Sequence, residues 1–165
     1  MHSWRVLLLP YLEEDALYTA YNFGEPWDGP SNRKLQEGIP YVFNCPENES
    51  GAYTNYVAVV GPNTVCRGTE AITFDSIPDE GSQTIAIVEV GNSGIHWMEP
   101  RDLYIGQMAP GINPPAGQGI SSHHRGGANI AFADGMVRFA RNDVPLDRLE
   151  AMLTVDGGET LPSGR

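Results

Sequence analysis

Apolar residues recur at near-helical spacing at Val6, Leu9, Leu12, Ala16 and Leu17, with Glu13, Glu14 and Asp15 grouped where a solvated face belongs. The pattern predicts helix over residues 3–21. Pro10 divides that segment, because proline lacks the N–H an interior helical position needs; it kinks the helix or begins a second one. Residues 24–30 carry two glycines and two prolines and read as a loop. Ser31 then caps a short helix ending near Glu37, before Gly38 and Pro40. From Tyr56 the period changes. Residues 56–60 form a β-branched run closed by Gly61-Pro62, which predicts a strand. Residues 71–74 read as a second, short strand and residues 78–82 as a turn.

The run 84–90 is the strongest strand signal. It is apolar at successive positions until Glu89, which places it in the middle of a sheet. Residues 106–119, rich in Gly and Pro, predict an irregular loop. Asp134-Gly135 stands between two strand-like runs, 128–133 and 136–140. A two-residue turn there puts Phe132 opposite Val137 and Ile130 opposite Phe139, all on one apolar face. A final helix follows Pro145, with Leu146, Leu149, Met152 and Leu153 on one stripe, and Gly157-Gly158 stops it. Helices, then strands, a hairpin and a closing helix predict an α+β fold with a largely antiparallel sheet, long loops and a short C-terminal helix. With no internal repeat and no linker long enough to divide it, the chain reads as one globular domain over residues 1–165.

Composition narrows the functional classes. The 165 residues include 19 Gly and 13 Pro, a loop-rich usage. Lys and Arg total 10 against 21 Asp and Glu, a net charge of −11, so nucleic acid and anionic membrane are poor partners. No apolar run approaches the ~18 residues of a membrane span. Cys45 and Cys66 form no Cys-x-x-Cys pair; a disulfide between them and two free thiols are both open. Asn48-Glu49-Ser50 matches a glycosylation sequon, a pattern common enough to arise by chance.

Two segments concentrate polar chemistry. Residues 96–103 bring together His96, Trp97, Glu99, Arg101 and Asp102. Two carboxylates beside an aromatic bind sugar or act as acid and base on a glycosidic bond. Glu99 and Asp102 are also oxygen donors for Ca²⁺, although the spacing is not that of an EF-hand. The structural alternative is an Arg101 salt bridge with Trp97 packed on the sheet. His123-His124 precedes the hairpin; adjacent residues of an extended strand point to opposite faces, so the pair is not a joint metal site. His124 fixes the start of the hairpin in the structural reading and joins Asp134 as a binding residue in the functional one. Glu89, if buried, needs a cation, and Arg5 and Arg138 are the candidates. Gly-x-Ser-x-Gly, His-Glu-x-x-His, phosphate-loop and dinucleotide motifs are absent from the sequence.

His124, nine residues, then Asp134-Gly135, within His-Arg-Gly-Gly-Ala-Asn-Ile-Ala-Phe-Ala-Asp-Gly-Met-Val-Arg-Phe, resembles the C-terminal signature of a large bacterial family. Its members are prepilin-type proteins with a domain of unknown function, sometimes carrying a solute-binding label. The blocks at 3–13, 55–61, 78–85 and 97–103 are similar to other segments of that family. The resemblance implies a pilin- or pseudopilin-like fold, with a helical segment packed on the sheet. It implies an extracytoplasmic location at the cell surface or periplasm, and a longer protein whose apolar N-terminal helix anchors it in the inner membrane before assembly. The implied partners are other pilin-like or secretion-system subunits, and the implied role is assembly without catalysis or an obligatory cofactor. Two other classes compete: a carbohydrate or small-solute binding module built on Trp97, Glu99, Asp102 and Trp4 or Trp27, and a hydrolase using paired carboxylates or His124.

Overall fold

A computed structural model describes residues 1–47, 51–68, 73, 77 and 81–156. Most of the short strand expected at 71–74 and of the turn at 78–82, the sequon at 48–50 and the stop at Gly157-Gly158 lie outside these residues. The chain divides into two compact units: Met1–Asn55 with Asn92–Arg101, and Tyr56–Gly91 with Asp102–Arg165.

The first unit is made of short helical turns. Ser3 caps α1 (Trp4–Leu7), its hydroxyl accepting from the Arg5 N–H at 3.2 Å. Pro10 opens a 3-10 turn, Leu9–Leu12, which ends on Glu13 in the left-handed region at φ 62°. Helix α2 (Asp15–Ala20) follows. Proline thus begins a new turn instead of kinking one long helix. Ser31 makes no capping bond to the 3-10 turn Asn32–Leu35. That job falls to Glu25, whose Oε1 accepts from the N–H groups of Ser31 and Asn32 at 2.8 and 2.7 Å. The core of this unit is Val6, Leu9, Tyr21, Phe43, Trp97 and Met98. Within it, then, the helical turns pack on aromatic residues and on the returning segment 92–101.

The second unit holds the sheet. Strands β1 (Tyr56–Val60), β2 (Ile85–Glu89), β3 (Leu103–Tyr104), β4 (Gly127–Phe132) and β5 (Val137–Arg141) are ordered β3-β1-β2-β4-β5. The α+β class is as expected, and β2 is central. The sheet is mixed: β1–β2, β2–β4 and β4–β5 are antiparallel, and β1–β3 is parallel. The two-residue β3 has too little periodicity to be read from sequence. Helix α3 (Leu146–Leu153) follows Pro145 and buries Leu149, Met152 and Leu153, while Leu146 stays half exposed.

The hairpin forms, but its register differs by one residue from expectation. Ala131 pairs with Val137 and Ile130 with Arg138. The Phe132 N–H donates to the Met136 carbonyl at 2.9 Å and the Gly135 N–H to the Phe132 carbonyl at 3.0 Å, so the loop has three residues, Ala133-Asp134-Gly135. Gly135 takes φ 85°, the left-handed closing residue of a three-residue hairpin loop. Because side chains alternate with period two, the slip separates the four apolar residues onto opposite faces. Ile130 and Phe132 are buried, whereas Val137 and Phe139 are 62% and 48% exposed. Arg138 lies on the Ile130 side, its guanidinium 4.7 Å from the centroid of the Phe132 ring.

Candidate functional site

Segment 96–101 is held by Arg5. This side chain is fully buried, and its guanidinium donates to three backbone carbonyls, those of Trp97, Glu99 and Arg101, at 3.0, 2.9 and 2.9 Å. Its Cζ also lies 4.9 Å from the centroid of the Trp4 ring. A rigid planar fork suits three acceptors spread over one turn of chain. These donors organise the returning segment.

The aromatic proposed as a sugar platform has no exposed face. Trp97 is 0% exposed, stacks on Phe43 at 6.3 Å with 16° between planes, and donates its Nε1–H to the Gln36 carbonyl at 3.0 Å. Glu99 is gripped by Arg101, Nε to Oε1 at 2.6 Å and a terminal nitrogen to Oε2 at 3.2 Å, as the structural alternative anticipated. Burial pushes the Glu99 carboxyl up, but the Arg101 pair and the His96 N–H outweigh it and hold the group below the usual carboxylate range. Asp102 belongs to the other unit and accepts from the Ala58 N–H at 2.9 Å, tying β1 to the start of β3. The Ca²⁺ candidates Glu99 and Asp102 are thus each committed to separate structural bonds.

The protonation of His96 also bears on this segment. Its Nδ1 accepts from the Met98 N–H at 3.1 Å, which requires that nitrogen to be unprotonated. Its Nε2 is buried without a hydrogen-bond partner, and Trp27 stacks on the ring at 5.1 Å. Burial, the largest cause, lowers the His96 pKa against the upward pull of the Gln36 carbonyl, Glu99 and Glu37, while Arg5 adds to the lowering. A group whose pKa is depressed by folding leaves more protons on the unfolded chain, so stability is full above the unfolded value near 6.5 and falls as pH drops below it. The expected result is a lower urea midpoint at pH 5 than at pH 7.5, with that difference reduced in His96→Asn. An unchanged pH difference in the variant would assign it to other groups.

The second cluster is centred on Glu89, at the end of β2. Its side chain is 1% exposed. Oε2 accepts from the backbone N–H and the side-chain Nδ2 of Asn129, at 2.9 and 3.1 Å. Oε1 has no hydrogen-bond partner and faces His124 Nε2 at 3.6 Å. Within this unit the neighbour of the buried carboxylate is therefore an imidazole and not Arg138, which is occupied over Phe132. His124 is placed by its own N–H, which donates to Ser122 Oγ at 3.0 Å, and its side chain is 30% exposed. Ser121 in turn donates its N–H to the Glu89 carbonyl at 2.9 Å and accepts the Gly91 N–H on its hydroxyl at 3.2 Å. Close approach matters here: a Cβ on Gly91 would meet the His123 ring at 3.2 Å. Glu89 and His124 offer one oxygen and one nitrogen to a proton or a cation. Asp134 serves a different end, its Oδ1 accepting from the Met136 N–H at 2.9 Å to close the hairpin.

This geometry separates two variants of Glu89. Glu89→Gln keeps an acceptor for Asn129 and is expected to cost under about 1.5 kcal/mol, whereas Glu89→Leu strands both Asn129 donors and is expected to cost about 3 kcal/mol. Urea unfolding of the two proteins measures the difference. Equal losses would mean that packing, not hydrogen bonding, holds Asn129.

The cysteines carry free thiols, Cys45 buried and Cys66 partly so. Cys45 is held in the first unit, its N–H donating to Asn55 Oδ1 at 2.9 Å. Cys66 lies in the second beside Val60 in a parallel bridge, and burial, with Asp102 adding, pushes its thiol pKa up.

Residues 1–64 and 91–147 match the family described as a protein of unknown function, DUF1559. The chain belongs to the DUF1559 family. The matched regions contain Arg5, the segment 96–101 it holds, His124, Asn129 and the Asp134 hairpin. Comparison with curated proteins finds no match. Comparison with solved structures finds none either. The blocks of resemblance at 3–13, 55–61 and 97–103 fall within the matched residues, and the block at 78–85 falls outside them. Sequence reading named the residues that DUF1559 chain uses in its two clusters only in part. Arg5 and Asn129 were missed as organisers. A lone arginine in an apolar helical run, and a polar residue inside an apolar strand, were the available signals.

Proposed function

We propose that this DUF1559 chain is the extracytoplasmic globular part of a pilin- or pseudopilin-like protein, which works by assembly with like subunits and without catalysis. The observation that carries the reading is the apolar surface on the first helical turns. Val6 and Leu9 are fully buried, yet Leu7, Leu8 and Tyr11 between and beside them are 51%, 37% and 83% exposed. Exposed apolar side chains grouped on one segment in this way mark contact surfaces. The polar residues that competing readings would need support the same view. Trp97, Glu99, Asp102 and Asp134 are each engaged in bonds that hold backbone or neighbouring side chains. The expected partners are other pilin-like subunits, and the expected location is the cell envelope. Among the described residues no helix is long and apolar enough to cross a membrane.

The test uses the full gene product in its own cells, with Tyr11→Cys as a crosslinking position. The reading expects envelope fractionation and thiol-specific crosslinks through position 11 to like subunits. A product confined to the cytosol, or one that stays monomeric under crosslinking, would overturn it. So would turnover of glycoside, ester, peptide or phosphate substrates that disappears in Glu89→Gln or His124→Ala.

A further inference from the structure

We infer that the groove between the β4–β5 hairpin and α3 binds a small amphipathic organic anion, a carboxylate or sulfonate on an apolar body. The groove encloses about 350 Å³, within the usual range for small-molecule sites. Its floor is apolar: Ile130, Phe132 and Met152 line it and are 1%, 6% and 7% exposed. Its rim is cationic, formed by Arg138, Arg141 and Arg148 against a single lining carboxylate, Asp143. In a chain of net charge −11 with only 10 basic residues, gathering three arginines at one groove reverses the local sign.

The three arginines are not equivalent. Arg141 is paired with Asp143, Nε to Oδ1 at 3.0 Å and a terminal nitrogen to Oδ2 at 3.3 Å, so its charge is already balanced. Arg138 stands over the Phe132 ring, its Cζ 4.7 Å from the centroid, which places its guanidinium beside the apolar floor. Arg148 is on the first turns of α3, on the opposite wall, where the helix dipole adds positive potential. An anionic head between Arg138 and Arg148 with an apolar body on Phe132 and Met152 satisfies both surfaces at once. A neutral or cationic ligand of the same size would leave the rim uncompensated. The one-residue hairpin register creates this arrangement, because the expected register would have put Phe139, not Arg138, on the Ile130 face. The site is independent of the assembly reading and would stand if that reading failed.

The test uses the purified chain with 1-anilinonaphthalene-8-sulfonate as fluorescent probe, and octanoate, octanol and octylammonium as competitors. The expected result is one saturable site, displacement by octanoate, and little displacement by the neutral or cationic analogues. Arg138→Gln/Arg148→Gln is expected to weaken the probe by about tenfold or more, the scale of lost charge-assisted contacts, while the variant keeps a cooperative urea transition and its far-UV circular dichroism. A second measurement needs no variant: on titration with octanoate the methyl resonance of Met152 moves while that of the fully buried Met98 in the first unit does not. Absence of saturable binding, equal displacement by octanol, undiminished affinity in the folded double variant, or a stationary Met152 signal would each overturn the proposal.

Discussion

Arg5→Ala is expected to destabilise the protein by about 3–5 kcal/mol, the range reached when a buried multi-bond network loses its donor. Three carbonyls, at Trp97, Glu99 and Arg101, lose a charged donor together. The loss is not simply one hydrogen bond multiplied, because the three acceptors lie on one short segment and are free to move as a group. Arg5→Lys tests the shape of the donor. An ammonium keeps the charge but not the planar fork, so Lys is expected to recover less than half of the loss. Urea unfolding of wild type and both variants gives the comparison. If Lys restored stability fully, charge alone would explain the site and the fork geometry would be irrelevant. A loss below about 1 kcal/mol in Arg5→Ala would show that water replaces the guanidinium, and that the segment is held mainly by Trp97 and Met98 in the core.

Gly127→Ala is expected to cost about 3 kcal/mol, at the upper end of overpacking effects in a close-packed interior. Gly127 begins β4 opposite Arg141, and a Cβ there would run into the Ala140 carbonyl oxygen and stand 2.7 Å from the Phe139 ring. The ring can rotate; the backbone oxygen cannot move without disturbing the β4–β5 ladder. Gly127→Ala/Phe139→Ala is therefore expected to recover only part of the loss. Full recovery would place the whole conflict in the ring and would sink the backbone argument. Gly126, its neighbour, meets nothing within 4 Å but has φ 89°, so Gly126→Ala strains the backbone through its torsion while Gly127→Ala fails for lack of space.

The two variants illustrate how unevenly the fold could be read from the chain. Strand 84–90 was legible as central, since an apolar run on both faces has few other places to go, and β2 occupies that place. The last helix was legible from Pro145 and its stripe. The site residues were legible only as types. His124 and Glu89 were each singled out, but 35 positions apart in sequence nothing indicated that their side chains stand 3.6 Å apart. Trp97 read equally well as a sugar platform or a core residue, because an aromatic beside two carboxylates is compatible with both until its exposure is known.

By itself the sequence determined the α+β class, the central strand, the break at Pro10, the hairpin at Asp134-Gly135 and membership of DUF1559, all of which rest on local spacing, turn chemistry or direct residue matches. Tertiary structure alone decided the hairpin register, the partner of Glu89, the three acceptors of Arg5 and the burial of Trp97. Register turned on one residue of loop length, which flips every later side chain between faces. The other three depend on which distant segments share an interior, and on the requirement that a buried charge or polar group find its partners there, wherever in the chain they arise.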